Sequence, residues 1–210
     1  MRKVAARVVV HDDGDLRDAT QYERMLMKLA EDKRRLKQIQ SKQAKAEYKR
    51  RVLPEYLPWV EGVIAGGSGQ QDDVLMAVMV WAVDASCYDV ALSTGAYALR
   101  HKLAMPDNYR RNVATTLAEE IACAAKRDRD AGAQFDIATL QDTISLTESH
   151  DMFDEARAKL LKEAGLAIEP LDLLRALECL ALAKGLDEKV GVVKDMERIN
   201  RKLKNSAGNG

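Results

Sequence analysis

Residues 20–51 read TQYERMLMKLAEDKRRLKQIQSKQAKAEYKRR, and this stretch sets the fold class. Thr20 precedes Glu23 by three positions, the spacing of a capping box that opens a helix. Tyr22, Met25, Leu29, Leu36 and Ile39 then recur at helical steps, giving a coiled-coil-like seam. Asp32 fills the gap between Leu29 and Leu36, and beyond Ile39 the seam fades into Gln43 and Ala46. Basic residues crowd the second half: Arg34, Arg35, Lys37, Lys42, Lys45, Lys49, Arg50 and Arg51. The pattern predicts one long helix that packs along its early seam and meets something acidic at its end. Pro54 and Pro58 then stop it, because proline lacks an N–H and restricts the residue before it.

Working outward, the bulk properties agree with a helical protein. Apolar residues make up 47% and charged residues 31%, which fits a folding chain rather than a disordered one. Aromatics fall to 5% and there are four prolines, while helix-forming residues abound; this favours an all-α fold. Net charge is zero, yet residues 1–51 hold 15 Lys/Arg against 8 Asp/Glu and the remainder 18 against 25. A basic front on an acidic back suits a polyanion such as DNA, although a solvated charged helix would look the same.

Cys87, Cys123 and Cys179 are far apart in apolar helical contexts, so buried free thiols in a reducing compartment are expected. Neither they nor His11, His101 and His150 have metal-site spacing; no metal or cofactor is expected. No apolar run is long enough to span a membrane and the start lacks a signal-peptide core, so a cytoplasmic protein is expected.

Down the chain, residues 1–18 read as a flexible tail and 19–68 as the basic helix with a Pro/aromatic bend anchored by Tyr56 and Trp59. Gly66-Gly67-Ser68-Gly69 is followed by Gln70-Gln71-Asp72-Asp73 rather than Lys-Ser or Lys-Thr, so it is a hinge and not a phosphate loop. Ser68 with Gln71 fits a cap, and Asp72 and Asp73 suit the positive end of a helix dipole. Helices over 70–85 and 88–104, joined by Ala-Ser-Cys, form an antiparallel hairpin filling 69–110, ended by Pro106 and followed by Tyr109, Arg110 and Arg111.

The region 111–204 predicts further helices over 116–131 (Thr116 and Glu119 to Gly132) and 137–147 (opened by Asp136). Three more follow over 152–164 (Asp151 to Gly165), 169–184 (Pro170 to Gly185) and 188–204 (opened by Asp187). The last carries Val192, Met196, Ile199 and Leu203, a candidate stripe for a partner. The 72–103 and 152–184 hairpins echo one another without a strict period. Residues 205–210 read as a second flexible tail.

The stretch from Tyr22 to Tyr109 resembles the small terminase subunits of temperate tailed phages with cohesive DNA ends, the M-protein branch. The resemblance is carried by Tyr22-Glu23, Met25-Leu26, Lys28-Leu29-Ala30, Leu53-Pro54, Tyr56-Leu57-Pro58-Trp59-Val60, Gln71-Asp72-Asp73, Trp81, Tyr97-Ala98-Leu99 and Met105-Pro106. It implies recognition of a packaging site on double-stranded DNA, homo-oligomers that are commonly rings, and delivery of DNA to a large ATPase subunit in the bacterial host cytoplasm. Descriptions of the branch credit the subunit with directing endonucleolytic cutting. Relatives can carry a long basic tail after the last helix; here the chain ends soon after Lys204, which shifts weight to the N-terminal basic helix.

On this reading Arg34, Arg35, Lys37, Lys42, Lys45, Lys49, Arg50 and Arg51 contact phosphates. Tyr22, Met25, Leu29, Leu36 and Ile39 serve oligomerisation. A nuclease would need carboxylates converging on a divalent ion. Asp72 and Asp73 are the best pair, yet neighbours on a helix point about 100° apart, so capping is the better reading. Two other readings stay open: a nuclease proper using a divalent metal, and a purely structural helical adaptor.

Overall fold

The structure is a computed structural model describing residues 20–106 and 109–207. Among these residues there are ten α-helices, a short 3-10 turn and no strand, so the chain is all-α. It divides into two compact units, residues 1–38 and 39–210. The tail expected over 1–18 lies outside the described residues.

The first unit contributes α1 (Gln21–Gln38). Its start is the expected capping box: Glu23 N–H donates to Thr20 Oγ1 at 3.2 Å, and Thr20 N–H donates back to Glu23 Oε2 at 2.7 Å. Leu29, Asp32 and Leu36 are its buried residues. Asp32, the polar break in the seam, accepts from Lys28 Nζ one turn earlier at 2.9 Å.

The helix expected over 20–51 is not continuous. Ile39, Gln40 and Ser41 leave the helical path, and α2 (Lys42–Val52) restarts after Ser41. Ser41 is extended, and its hydroxyl accepts from Ala44 N–H at 3.3 Å. A serine hydroxyl competes for backbone hydrogen bonds, and here it does so where the apolar seam has run out.

After a 3-10 turn at Leu53–Glu55 comes α3 (Leu57–Gly66), where a bend without a helix was expected. Pro58 sits in its first turn, where no N–H is required, so this proline opens a helix instead of blocking one. Tyr56 is fully buried and meets the Trp81 ring edge-on at 5.8 Å, which bears out its anchoring role.

The core of the second unit is α4 (Asp73–Asp84), whose residues Val74 to Val83 are all buried. A helix apolar on every side must be surrounded, and α4 packs against α2, α3, α5 (Tyr88–Arg100) and α6 (Val113–Asp130). The three-residue turn after α4 returns the chain as the expected α4–α5 hairpin.

Helix α6 joins this half to the rest, packing on α4 and α5 and also on α7 (Ile137–Thr147) and α8 (Asp154–Ile168). It starts at Val113, three residues before the expected Thr116, because Asn112 takes the cap and accepts from Thr115 N–H at 2.9 Å. Helix α7 begins where expected, with the Asp136 carboxylate receiving the N–H groups of Ala138 and Thr139.

Several later boundaries differ from expectation. Helix α8 runs through Gly165 rather than stopping there. A Cβ at Gly165 would lie 3.0 Å from the Ala176 carbonyl oxygen and 3.1 Å from Cys179 Cβ, both on α9 (Leu173–Leu186). This glycine is a contact point between backbones, not a terminus. Pro170 lies in the turn before α9, which Asp172 caps by accepting from Leu174 and Arg175 N–H, each at 3.0 Å. Gly185 lies inside α9.

The last helix, α10 (Val193–Ala207), starts later than expected, since Asp187 is used in a turn, accepting from Lys189 N–H at 2.9 Å. Its stripe of Met196, Ile199 and Leu203, with Val192 just before it, packs into one core cluster with Ala176 and Leu180 of α9. The stripe proposed for a partner is therefore spent inside the chain. Asn205–Ala207, expected in the second tail, are helical; residues 208–210 lie outside the described residues.

Candidate nucleic-acid interface

The eight basic residues of the sequence reading fall on two helices in different units. Arg34, Arg35 and Lys37 are exposed on α1. Arg35 pairs with Glu31 one turn earlier, an exposed pair of the kind that adds at most about 1 kcal/mol. On α2, Lys42 and Arg51 are exposed and Lys45 is half-buried, with the Arg51 guanidinium 5.0 Å from the Tyr48 ring centre.

Lys49 and Arg50 have work inside the fold. Lys49 Nζ pairs with the Asp84 carboxylate, and Arg50 Nε donates to the Ala85 carbonyl at 3.1 Å. Both contacts land on the C-terminus of α4, where unpaired carbonyls and the helix dipole attract cations. They dock α2 onto the central helix. Nothing in the sequence could reveal this, because the partners lie 35 residues away.

Of the seam residues, Leu29 and Leu36 are buried, while Tyr22, Met25 and Ile39 are half-buried.

Asp72 and Asp73 show how acidic side chains are used near the hinge. Asp72 is 6% exposed; one carboxylate oxygen accepts from Leu75 N–H at 2.8 Å and the other from Trp59 Nε1 at 3.0 Å. Asp73 occupies the first turn of α4. Asp72 is thus the cap, as the capping reading of the Asp72–Asp73 pair expects, while Ser68, the other expected cap, does not serve α4. The neighbouring Gln71 clamps the Ala104 backbone, donating to its carbonyl at 3.0 Å and accepting from its N–H at 2.8 Å. Gly69 (φ +66°) donates to Tyr97 Oη at 2.9 Å, and a Cβ there would meet His101 Nδ1 at 2.5 Å. The hinge is fastened at several points to the end of α5.

Another acidic group escapes sequence reasoning. Glu120 of α6 is half-buried, and burial, followed by the charge of Asp84, pushes its carboxyl above the usual range; Lys49 works the other way. Tyr109 is pushed up by burial and then by the same two carboxylates. Among the described residues, no group of three or more His, Cys, Asp or Glu side chains could hold a metal ion. The cysteines are free, as expected, but not buried: Cys123 is exposed, and Cys87 and Cys179 are half-exposed. Among the described residues no helix is long and apolar enough to cross a membrane.

A family model for the phage small terminase subunit matches residues 26–155, from within α1 to the start of α8. The chain belongs to the phage small terminase subunit family. Among relatives of this terminase subunit, the terminase endonuclease subunit of Escherichia phage P2 is 46% identical over 205 residues, covering 97% of this chain and 83% of that protein. The probable terminase endonuclease subunit of Haemophilus phage HP1 (strain HP1c1) is 25% identical over 174 residues, covering 82% of this chain and 60% of that protein. No solved structure gives a significant match to this small terminase subunit.

Proposed function

We propose that this terminase subunit binds the packaging (cohesive-end) site on double-stranded phage DNA, assembles into a homo-oligomer, commonly a ring, and directs the large ATPase subunit to cut and package the genome in the host cytoplasm. The observation that carries this reading is the run of exposed cations on α1 and α2: Arg34, Arg35, Lys37, Lys42 and Arg51. Cations at such positions neutralise phosphates and release counterions, which supplies affinity without reading sequence. Oligomerisation multiplies those contacts by avidity. Lys45 adds to the set; Lys49 and Arg50 contribute mainly by holding α2 on α4. The seam of Tyr22, Met25, Leu29, Leu36 and Ile39 is assigned to assembly.

Reversing Arg34, Arg35, Lys42 and Lys45 to Glu tests the contact. DNA retention at moderate salt is expected to be lost, with oligomer mass by light scattering unchanged. Retention that survives would rule out these helices as the DNA surface. Replacing Leu29 and Leu36, both buried within the chain, by Asp is expected to lower the oligomer mass with helix content unchanged if the seam lies between subunits; loss of helix content as well would place the seam inside one subunit.

A second reading is favoured by the names of the two relatives, a terminase endonuclease subunit and a probable one. On that reading the chain itself cuts the cohesive-end site with a divalent metal. Incubating the purified chain with cohesive-end DNA and magnesium, without large subunit, decides between them. Specific cutting supports the second reading; intact DNA supports site choice by this chain and cutting by the assembled complex.

A further inference from the structure

The apolar stripe of α10 is locked against α9, which fixes the opposite face of the helix outward. Lys194, Glu197, Asn200, Arg201 and Lys204 are exposed there. Residues 198–204 contain four cations, Arg198, Arg201, Lys202 and Lys204, and no carboxylate.

The ion pairs divide these cations into two sets. Glu169, at the end of α8, receives Arg198 Nη2 at 2.6 Å and Nε at 3.1 Å, and also Lys202 Nζ at 2.8 Å. Asp195 receives Arg198 Nη1 at 2.5 Å. Arg198 and Lys202 are therefore structural. Arg201 and Lys204, three residues apart on the exposed face, make no ion pair among the described residues. Glu197, one turn before Arg201, offsets part of that charge and leaves a positive surplus with Lys194.

We infer that this face of α10 is a second contact for the phosphate backbone of duplex DNA, separate from the cations of α1 and α2. Charge complementarity carries the assignment. Of the large apolar residues of α10, only Val193 is exposed, whereas a protein interface needs an apolar centre. Cations flanked by asparagines suit a solvated polyanion, since Lys, Arg and Asn all supply hydrogen bonds to phosphate oxygens. Such a contact adds affinity and positions the duplex without choosing its sequence.

The inference rests on the proposed DNA binding, and its test separates the two. The full-length chain carrying Arg201→Gln and Lys204→Gln is compared with wild type on packaging-site and unrelated duplexes over a range of salt. Both side chains are exposed, so melting temperature and native mass are expected to stay the same. Removing two phosphate contacts is expected to make the slope of log K against log salt shallower by roughly 1.8 per engaged protomer. The loss is expected to be equal on both duplexes. Unchanged affinity and slope, with wild type binding normally, would overturn the inference and leave the α1–α2 reading standing. Loss of large-subunit capture with DNA binding intact would also overturn it, assigning the face to a protein. If wild type itself fails to bind duplex DNA, both readings fall.

Discussion

Trp59 Nε1 donates to Asp72 Oδ2 at 3.0 Å, while the other oxygen of Asp72 caps α4. One buried carboxylate thus joins α3, the hinge and the central helix. Asp72→Ala removes a helix cap, worth about 1 kcal/mol, and the hydrogen bond that the Trp59 indole makes to the same carboxylate, worth about 1–3 kcal/mol more. A loss of about 2–4 kcal/mol is expected in urea unfolding followed by tryptophan emission. Trp59→Phe, which keeps the cap, should cost less than Asp72→Ala.

The same geometry separates stability from chemistry. Because both oxygens of Asp72 are engaged within the fold, Asp72→Asn with Asp73→Asn is expected to weaken folding and, on the proposed function, to leave cohesive-end cutting by the complex with the large subunit in place. Cutting assays should be run below the melting temperature of the variant. A folded double variant that has lost cutting would restore these residues as metal ligands.

Gly165→Ala tests the close approach of α8 and α9. In an exposed helix, alanine would be favoured over glycine by about 1 kcal/mol. Here its methyl would sit 3.0 Å from the Ala176 carbonyl oxygen and 3.0 Å from Leu180 Cδ2. Overpacking of this kind costs about 1–3 kcal/mol, so net destabilisation or no gain is expected from thermal melting. Clear stabilisation would show that the two helices are free to separate.

Glu169 gives a pH dependence with a definite sign. The hydrogen bonds from Arg198, then those from Lys202, hold its carboxyl at about 2 against an ordinary value of 4.5. A lowered folded-state value means the contribution is full above about 4.5 and is lost as pH falls toward about 2. The partner side chains are 41% and 53% exposed, so solvent screening reduces the effect to about 1–2 kcal/mol. Glu169→Gln is expected to lower stability at neutral pH and to flatten its loss between pH 4.5 and 2. An unchanged acid profile would show that the triad contributes nothing.

Local chemistry was the legible part of the fold. The Thr20–Glu23 box and the Asp136 cap stand where the sequence puts them, because a cap is a contact between near neighbours. Gly165 reads equally well as a stop or as a crossing point, and only the facing Ala176 and Cys179 decide. Pro58 reads as a stop, yet a proline in a first turn is a start. The break at Ile39–Ser41 was hidden because nearly every flanking residue tolerates a helix.

The candidate site was legible as a list of cations but not in its division of labour. Lys49 and Arg50 look like Lys42 and Arg51 until Asp84 and Ala85 arrive from another helix. Likewise, the Val192 to Leu203 stripe gave the right face of α10 as apolar, but periodicity does not say whether α9 or another molecule covers it.

Ser41 has a consequence for how the chain tolerates change. Because α2 has its own cap, its first turn owes nothing to the helix before it. A proteolytic nick or a short insertion at Ile39 or Gln40 would leave that cap and the Lys49–Asp84 pair intact. The basic run is thus built as two cassettes, and the second starts from its own cap whatever length of chain leads up to Ser41.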